Sequence, residues 1–171
     1  MAQAFIFPGQ GSQHVGMGRE HYEKNSEFAS YIDQAVDILG YDIKKILFEG
    51  PEDQLKQTEV TQPAIYLHSV ALFNTLNETP DMVAGHSLGE ISALTAVNAL
   101  SFEDGLKIVS KRGKLMQDAG ESNPGTMAAI IGMNDEDVEA VCSQVKEDSG
   151  LEVVPANFNS PGQVVISGDK D

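Results

Sequence analysis

"DMVAGHSLGEIS", residues 81–92, sets Ser87 two places from a glycine on either side, at Gly85 and Gly89. The apolar run "DMVAGH" reads as a strand, and "SLGEISALTAVNAL" (87–100) reads as the helix that follows it. G-x-S-x-G at a strand-to-helix junction is the nucleophile-elbow pattern. The tight turn lifts the serine oxygen out of the fold, and small flanking residues let the backbone bend that sharply. The N–H of the next residue, Leu88, would face a developing oxyanion at the positive end of the helix. The alternative for Ser87 is a helix N-cap with no chemistry.

Working outward, "AFIF" (4–7) is a buried strand stopped by Pro8 and Gly9. Apolar residues Phe28, Tyr31, Ile32, Ala35, Val36 and Leu39 recur at helical spacing, with Ser26 as the expected cap and Gly40 as the stop. A further helix over 61–76 has Pro63 in its first turn and apolar residues on most sides, so it is expected to be buried. Ser101 and Asp104 form a shortened capping box that opens a helix through about Asp118. Strands alternating with helices give an α/β fold with a parallel sheet.

The character changes at the turn-rich "GESNPG", 120–125. "TMAAIIGM" reads as a strand, and the next segment as an acidic-capped helix with Val138, Val141, Cys142 and Val145 on one face. "EVVPANF" and "QVVISG" then flank "NSPG", whose Pro161 and Gly162 suit a type II turn. The order β-α-β-β is the first part of a split β-α-β-β-α-β unit, and one helix leaves much of one sheet face uncovered.

A formal charge of −15 over 171 residues opposes binding to nucleic acid or to anionic membrane surfaces. The sequence has neither a membrane-length apolar run nor a secretory signal, so a cytoplasmic setting is expected, and the lone Cys142 fits a reducing compartment as a core thiol. None of the four histidines has a spacing that nominates it as base or metal ligand. His86 sits beside Ser87 but should diverge from it at the turn and pack beneath the elbow. His68 falls in the buried helix, and His21 reads as surface.

The loop "PGQGSQHVGMG" (8–18) fails both phosphate-loop patterns: G-x-G-x-x-G needs glycine where His14 stands, and a Walker loop needs lysine at Met17. Its functional reading is a second oxyanion donor, the backbone N–H of Gln10; its other reading is an ordinary strand-exit turn. On the helix after 102, Lys107, Lys111 and Lys114 share a solvated stripe. Arg112 projects instead among Ile108, Val109, Leu115 and Met116, where a guanidinium requires an anionic partner. That partner is either an internal carboxylate or the carboxylate of a ligand.

Taken together, "FPGQGSQ", "TQPA", "GHSLGE", "RGKLMQ" and "NFNSPGQVVISG" resemble the malonyl-CoA:acyl-carrier-protein transacylase family, in family order from residue 5 to 168. The resemblance implies an α/β-hydrolase-like large subdomain, of which residues 1–121 are the N-terminal part, and an incomplete ferredoxin-like small subdomain over 122–171. It implies that Ser87 takes a malonyl group from coenzyme A and passes it to the phosphopantetheine thiol of acyl carrier protein, in fatty acid biosynthesis. Malonyl-CoA is then a substrate, and no cofactor or metal is permanently bound. Gln10 and Leu88 correspond to the oxyanion-hole donors, Arg112 to the clamp on the malonyl carboxylate, and Gln62, Asn157 and Asn159 to residues lining or bracing the site. The family's base is a histidine beyond these residues, so the chain is expected to be a fragment of a longer enzyme, the alternative being that a second chain completes the fold. The competing readings are a serine esterase or thioesterase, and a base-less module that binds the carrier protein.

Overall fold

In the computed structural model, which describes residues 2–171, the elements divide into two units, one ending at Asp118 and the other running from Ala119 to Asp171. The first unit opens with β1 (Ala4–Phe7), followed by α1 (Arg19–Lys24), α2 (Ser26–Leu39), α3 (Ile43–Glu49), α4 (Glu52–Leu55) and α5 (Thr58–Thr75). It continues with β2 (Met82–Gly85), α6 (Leu88–Ala96) and α7 (Phe102–Ser122), of which the residues through Asp118 belong to this unit.

β1 and β2 pair in parallel, Ala4 opposite Met82 through Phe7 opposite Gly85. One face of the pair is covered by Phe73 of α5 and by Ala93 and Ala96 of α6. Phe5 and Phe73 meet edge to face at 5.1 Å, an arrangement that the ring quadrupoles favour. Ile6 and Met82 stand exposed.

The larger core is wrapped around α5, whose residues from Val60 to Leu67 are all buried. Phe28 and Ile32 of α2, Ile43 and Leu47 of α3, Leu55 of α4, Leu88 of α6, and Leu106 and Val109 of α7 close over it. α5 begins earlier than its sequence suggests, so Pro63 lies inside the helix rather than in its first turn. Burial on most sides outweighs the one backbone hydrogen bond that Pro63 cannot donate. The cap of α2 is Asn25, whose side chain accepts from the N–H of Glu27 and Phe28; Ser26 is already helical. Gly40 ends α2 in the left-handed conformation, as expected.

α6 is shorter than its apolar run, ending at Ala96, and α7 runs past the expected Asp118 to Ser122. At the start of α7, Ser101 Oγ accepts from the Asp104 N–H and donates to the Asp104 carboxylate. Asp104 thus reaches the serine hydroxyl rather than the backbone N–H that a longer Glu would meet in the usual box. α1, α3 and α4 have no counterpart in the sequence reading.

The second unit contains β3 (Thr126–Ile131), α8 (Asp135–Ser149), β4 (Val153–Ser160) and β5 (Gln163–Gly168). Its sheet order is β3-β5-β4, with β5 antiparallel to both neighbours. This is the split β-α-β arrangement: α8 connects β3 to β4, and β5 returns between them. Gly162, at φ 76°, makes the tight turn after Pro161. α8 is capped by Asn134 and buries Val138 and Cys142 on the sheet, whereas Val141 and Val145, expected on the same face, are half exposed.

Candidate active site

At the end of β2 the chain turns into α6 through Ser87, at φ 54° and ψ −99°. A non-glycine residue there is strained by roughly 1–3 kcal/mol, so the surroundings must enforce it. The two glycines explain how. A Cβ on Gly85 would run into the backbone of Gly89 and Glu90, and one on Gly89 would run into the Phe7 carbonyl. Strand end, turn and helix start are pressed together too closely for any side chain at either position, and Ser87 takes the strain between them.

Ser87 occupies the N-cap position of α6, yet its side chain makes no capping bond. Its Oγ accepts a hydrogen bond from Arg112 Nη2 at 2.8 Å, and Arg112 Nη1 donates to Gln62 Oε1 at 2.8 Å. α7 comes near enough for this because Gly113, next to Arg112, is buried against α5, where a Cβ would sit 2.8 Å from the Thr58 carbonyl oxygen. One turn farther along α7, Met116 Sδ accepts from Gln62 Nε2 at 3.0 Å.

Of the two partners that the sequence left open for Arg112, the internal carboxylate is not found among the described residues. Arg112 is half-buried and, among the described residues, makes no ion pair with a carboxylate. The neighbours Ile108, Leu115 and Met116 are themselves exposed. A half-solvated guanidinium needs no counter-ion, and two neutral oxygens satisfy two of its five N–H groups. Its charge remains available to an anion.

Leu88, buried as the first residue of α6, presents one of the N–H groups that a helix start leaves without an intrahelical partner. Gln10 lies in the turn after β1, where its side-chain amide donates to Thr58 Oγ1 at 3.3 Å, at the start of the helix that carries Gln62. His86 lies against that same turn, since a Cβ on Gly9 would come within 2.7 Å of its Nδ1. Its ring therefore faces the β1 exit and does not bond to Ser87. His68 is partly buried beside Phe28, and burial together with His21 and His14 holds its pKa below the usual histidine value.

Ser87, Arg112 and Gln62 are thus brought together, with Leu88 and Gln10 on the adjoining helix start and turn. Asn157 and Asn159 lie on β4 of the second unit, where Asn159 Nδ2 donates to Gln163 Oε1 at 3.3 Å.

The sequence profile described as the acyl transferase domain matches residues 4–171. The chain belongs to this family. It is 46% identical over 168 residues to the malonyl CoA-acyl carrier protein transacylase of Staphylococcus aureus, covering 98% of this chain and 54% of the relative. The solved structure of the malonyl CoA-acyl carrier protein transacylase from Coxiella burnetii matches with a TM-score of 0.92 at 42% identity, over 99% of this chain and 54% of the other. A type II polyketide synthase acyl-carrier protein in complex with its malonyl-transacylase matches with a TM-score of 0.91 at 41% identity, over 99% and 56%. The acyl transferase chain therefore spans about half the length of the relatives it matches, and its α/β fold with a parallel sheet is the family's.

Three contributors escaped the sequence reading: Thr58, Met116 and Gly113. For Gly113 a signal was present, because a glycine inside a helix marks a close approach when packing requires it. Thr58 and Met116 are recognisable only once the crossing of α5 and α7 is known.

Proposed function

We propose that this acyl transferase chain supplies the nucleophile and the acyl-binding side of a malonyl-CoA:acyl-carrier-protein transacylase of fatty acid synthesis. The observation that carries the reading is the 2.8 Å contact between Arg112 Nη2 and Ser87 Oγ. A hydroxyl strained out of the fold by two close-packed glycines meets a permanently charged group with no carboxylate of its own.

Ser87 Oγ attacks the thioester carbonyl, the new Oγ–C bond forms, and coenzyme A leaves as its thiol. The N–H groups of Leu88 and Gln10 stabilise the negative oxygen that forms in between. Acylation removes the Oγ proton and turns Oγ into an ester oxygen, a weaker acceptor than the hydroxyl, which frees that arm of the guanidinium. Only three bonds separate Oγ from the far carboxyl carbon of a malonyl group, so the freed fork lies within reach of the carboxylate. Gln62, held on the other arm, keeps the guanidinium in plane. The carrier protein's phosphopantetheine thiol then attacks the acyl-serine, regenerating Oγ. The malonyl-transacylase neighbour in complex with an acyl-carrier protein supports that acceptor.

In this reading residues through 121 are the N-terminal part of the large subdomain, and 122–171 the beginning of a ferredoxin-like small one that carries Asn157 and Asn159 on its second strand. No permanently bound cofactor is required, and the setting is cytoplasmic. Ser87 also needs a proton acceptor. Among the described residues no histidine bonds to its Oγ, and Arg112 is a donor only. The 171 residues by themselves are therefore expected to acylate very slowly.

Incubation of the protein, at the length of its relatives, with malonyl-CoA tests the reading by intact mass. A malonyl adduct that is lost in Ser87→Ala and handed on to carrier-protein thiol supports it. Free malonate released at the same rate without carrier protein indicates a hydrolase instead.

A further inference from the structure

Behind the Ser87–Arg112 contact the hydrogen bonds run on to a thioether. Gln62 is 1% exposed, and its side-chain amide makes two bonds, from Arg112 Nη1 and to Met116 Sδ. Met116, four residues after Arg112 on the same face of α7, is 45% exposed. A thioether is a weak acceptor, and among the described residues no other methionine sulfur accepts a hydrogen bond from a buried side-chain amide. The oxidisable end of the network thus lies on a half-exposed side chain, while its other end is the serine.

We propose that Met116 is a reversible oxidation site through which a hydroperoxide turns off recognition of the substrate carboxylate. This deepens the proposed function and rests on it. A sulfur lone pair attacks one peroxide oxygen; the S–O bond forms, the O–O bond breaks, and the remaining oxygen leaves as water or alcohol with the proton. The thioether is oxidised by two electrons to the sulfoxide, and the peroxide is reduced.

Oxidation leaves the sulfur electron-poor and moves the acceptor to the new oxygen, so the 3.0 Å contact of Gln62 Nε2 with Met116 Sδ is lost or displaced. Nε2 and Oε1 belong to one rigid amide plane, so displacement at Nε2 tilts Oε1 away from Arg112 Nη1. The guanidinium then loses the brace that orients it toward the acyl group. Met116 acts through Gln62 and Arg112, as a positioning residue.

The test treats the relative-length protein with hydrogen peroxide and quantifies each methionine sulfoxide by peptide mass. It then measures the rates of serine loading from malonyl-CoA and from acetyl-CoA, which has no free carboxylate. Oxidation of Met116 is expected to slow malonyl loading about tenfold or more, the worth of one hydrogen bond to a charged group. Acetyl loading should change little, and a methionine sulfoxide reductase should restore the malonyl rate. Met116→Leu, whatever its starting rate, should show no further loss with peroxide. Unchanged malonyl loading at full Met116 oxidation, or an equal loss in Met116→Leu, overturns the proposal. If neither substrate loads before oxidation, the proposed function fails instead. The side-chain amide signals of Gln62 by NMR then decide this inference alone: a shift on Met116 oxidation supports the coupling, and unmoved signals refute it.

Discussion

The first unit surrounds one helix, α5, with five others, and it buries Thr61, Gln62, Ser92 and Thr95 along with its apolar side chains. Tyr66, fully buried, shares hydrogen bonds with Thr95 Oγ1 and the Phe102 carbonyl, and burial pushes its pKa up to about 12. The second unit lays a single helix on three strands and buries little more than Val138, Cys142 and Val164. Met127, Ile131, Val154 and Phe158 stay exposed on its strands. The difference teaches where precision comes from. Ser87, Arg112 and Gln62 are held by elements packed on several sides, so their separation is set by the core. Asn157 and Asn159 lie on a strand whose register is kept by β5 alone.

The most severe break of this contrast is Gly89→Val. Its side chain would occupy the place of the Phe7 carbonyl, so β1, β2 and α6 cannot all keep their places. Loss of hydrogen-exchange protection across the first unit, with that of the second retained, is the expected outcome. Next is Phe28→Ala, which empties a site with no exposure in the main core and is expected to cost about 3–5 kcal/mol in denaturant unfolding of the first unit.

A smaller effect comes from pH. His68 has its folded pKa lowered from 6.5, first by burial and then by His21 and His14. The unfolded chain therefore binds the proton more readily than the folded one. The stability that neutral His68 provides is present above the unfolded value and is lost as pH falls below it toward the folded value. First-unit stability should decline with acidification from about pH 6.5, and His68→Gln should flatten that decline. Smallest of all is Phe158→Ala in the second unit: a half-exposed ring on an uncovered face should change stability by no more than about 0.5 kcal/mol. A loss comparable to that of Phe28→Ala would show that this face is packed in solution.

Much of this was legible in the sequence, for reasons that differ by element. β1, β2, α2 and α5 announce themselves by apolar runs or helical periodicity long enough to exceed chance, and the glycines of the elbow by a spacing that only a tight turn requires. α1, α3 and α4 are too short for periodicity to register, and α3 is betrayed only by its cap, Asp42, which accepts from the Lys45 N–H. Asn25 and Ser26 are neighbouring residues that both cap well, so the choice between them fell to backbone geometry. Pro63 misled because local propensity yields to burial.

Arg112 stood out in the sequence for its place on the helix, but the hydrogen bonds it makes were not foreseen. A half-buried guanidinium is satisfied by neutral oxygens, and both of them come from distant points in the chain, Gln62 and Ser87. Sequence spacing on one helix carries no information about which other helix crosses it.

The central claim is that Arg112 reads a carboxylate on the acyl group attached to Ser87. The most direct measurement is the ratio of malonyl to acetyl loading on Ser87, followed by intact mass, in the relative-length protein and in its Arg112→Ala variant. The account predicts a strong preference for malonyl that falls by about 10- to 100-fold in the variant, through loss of malonyl loading rather than of acetyl loading. A preference that survives the substitution unchanged would contradict it.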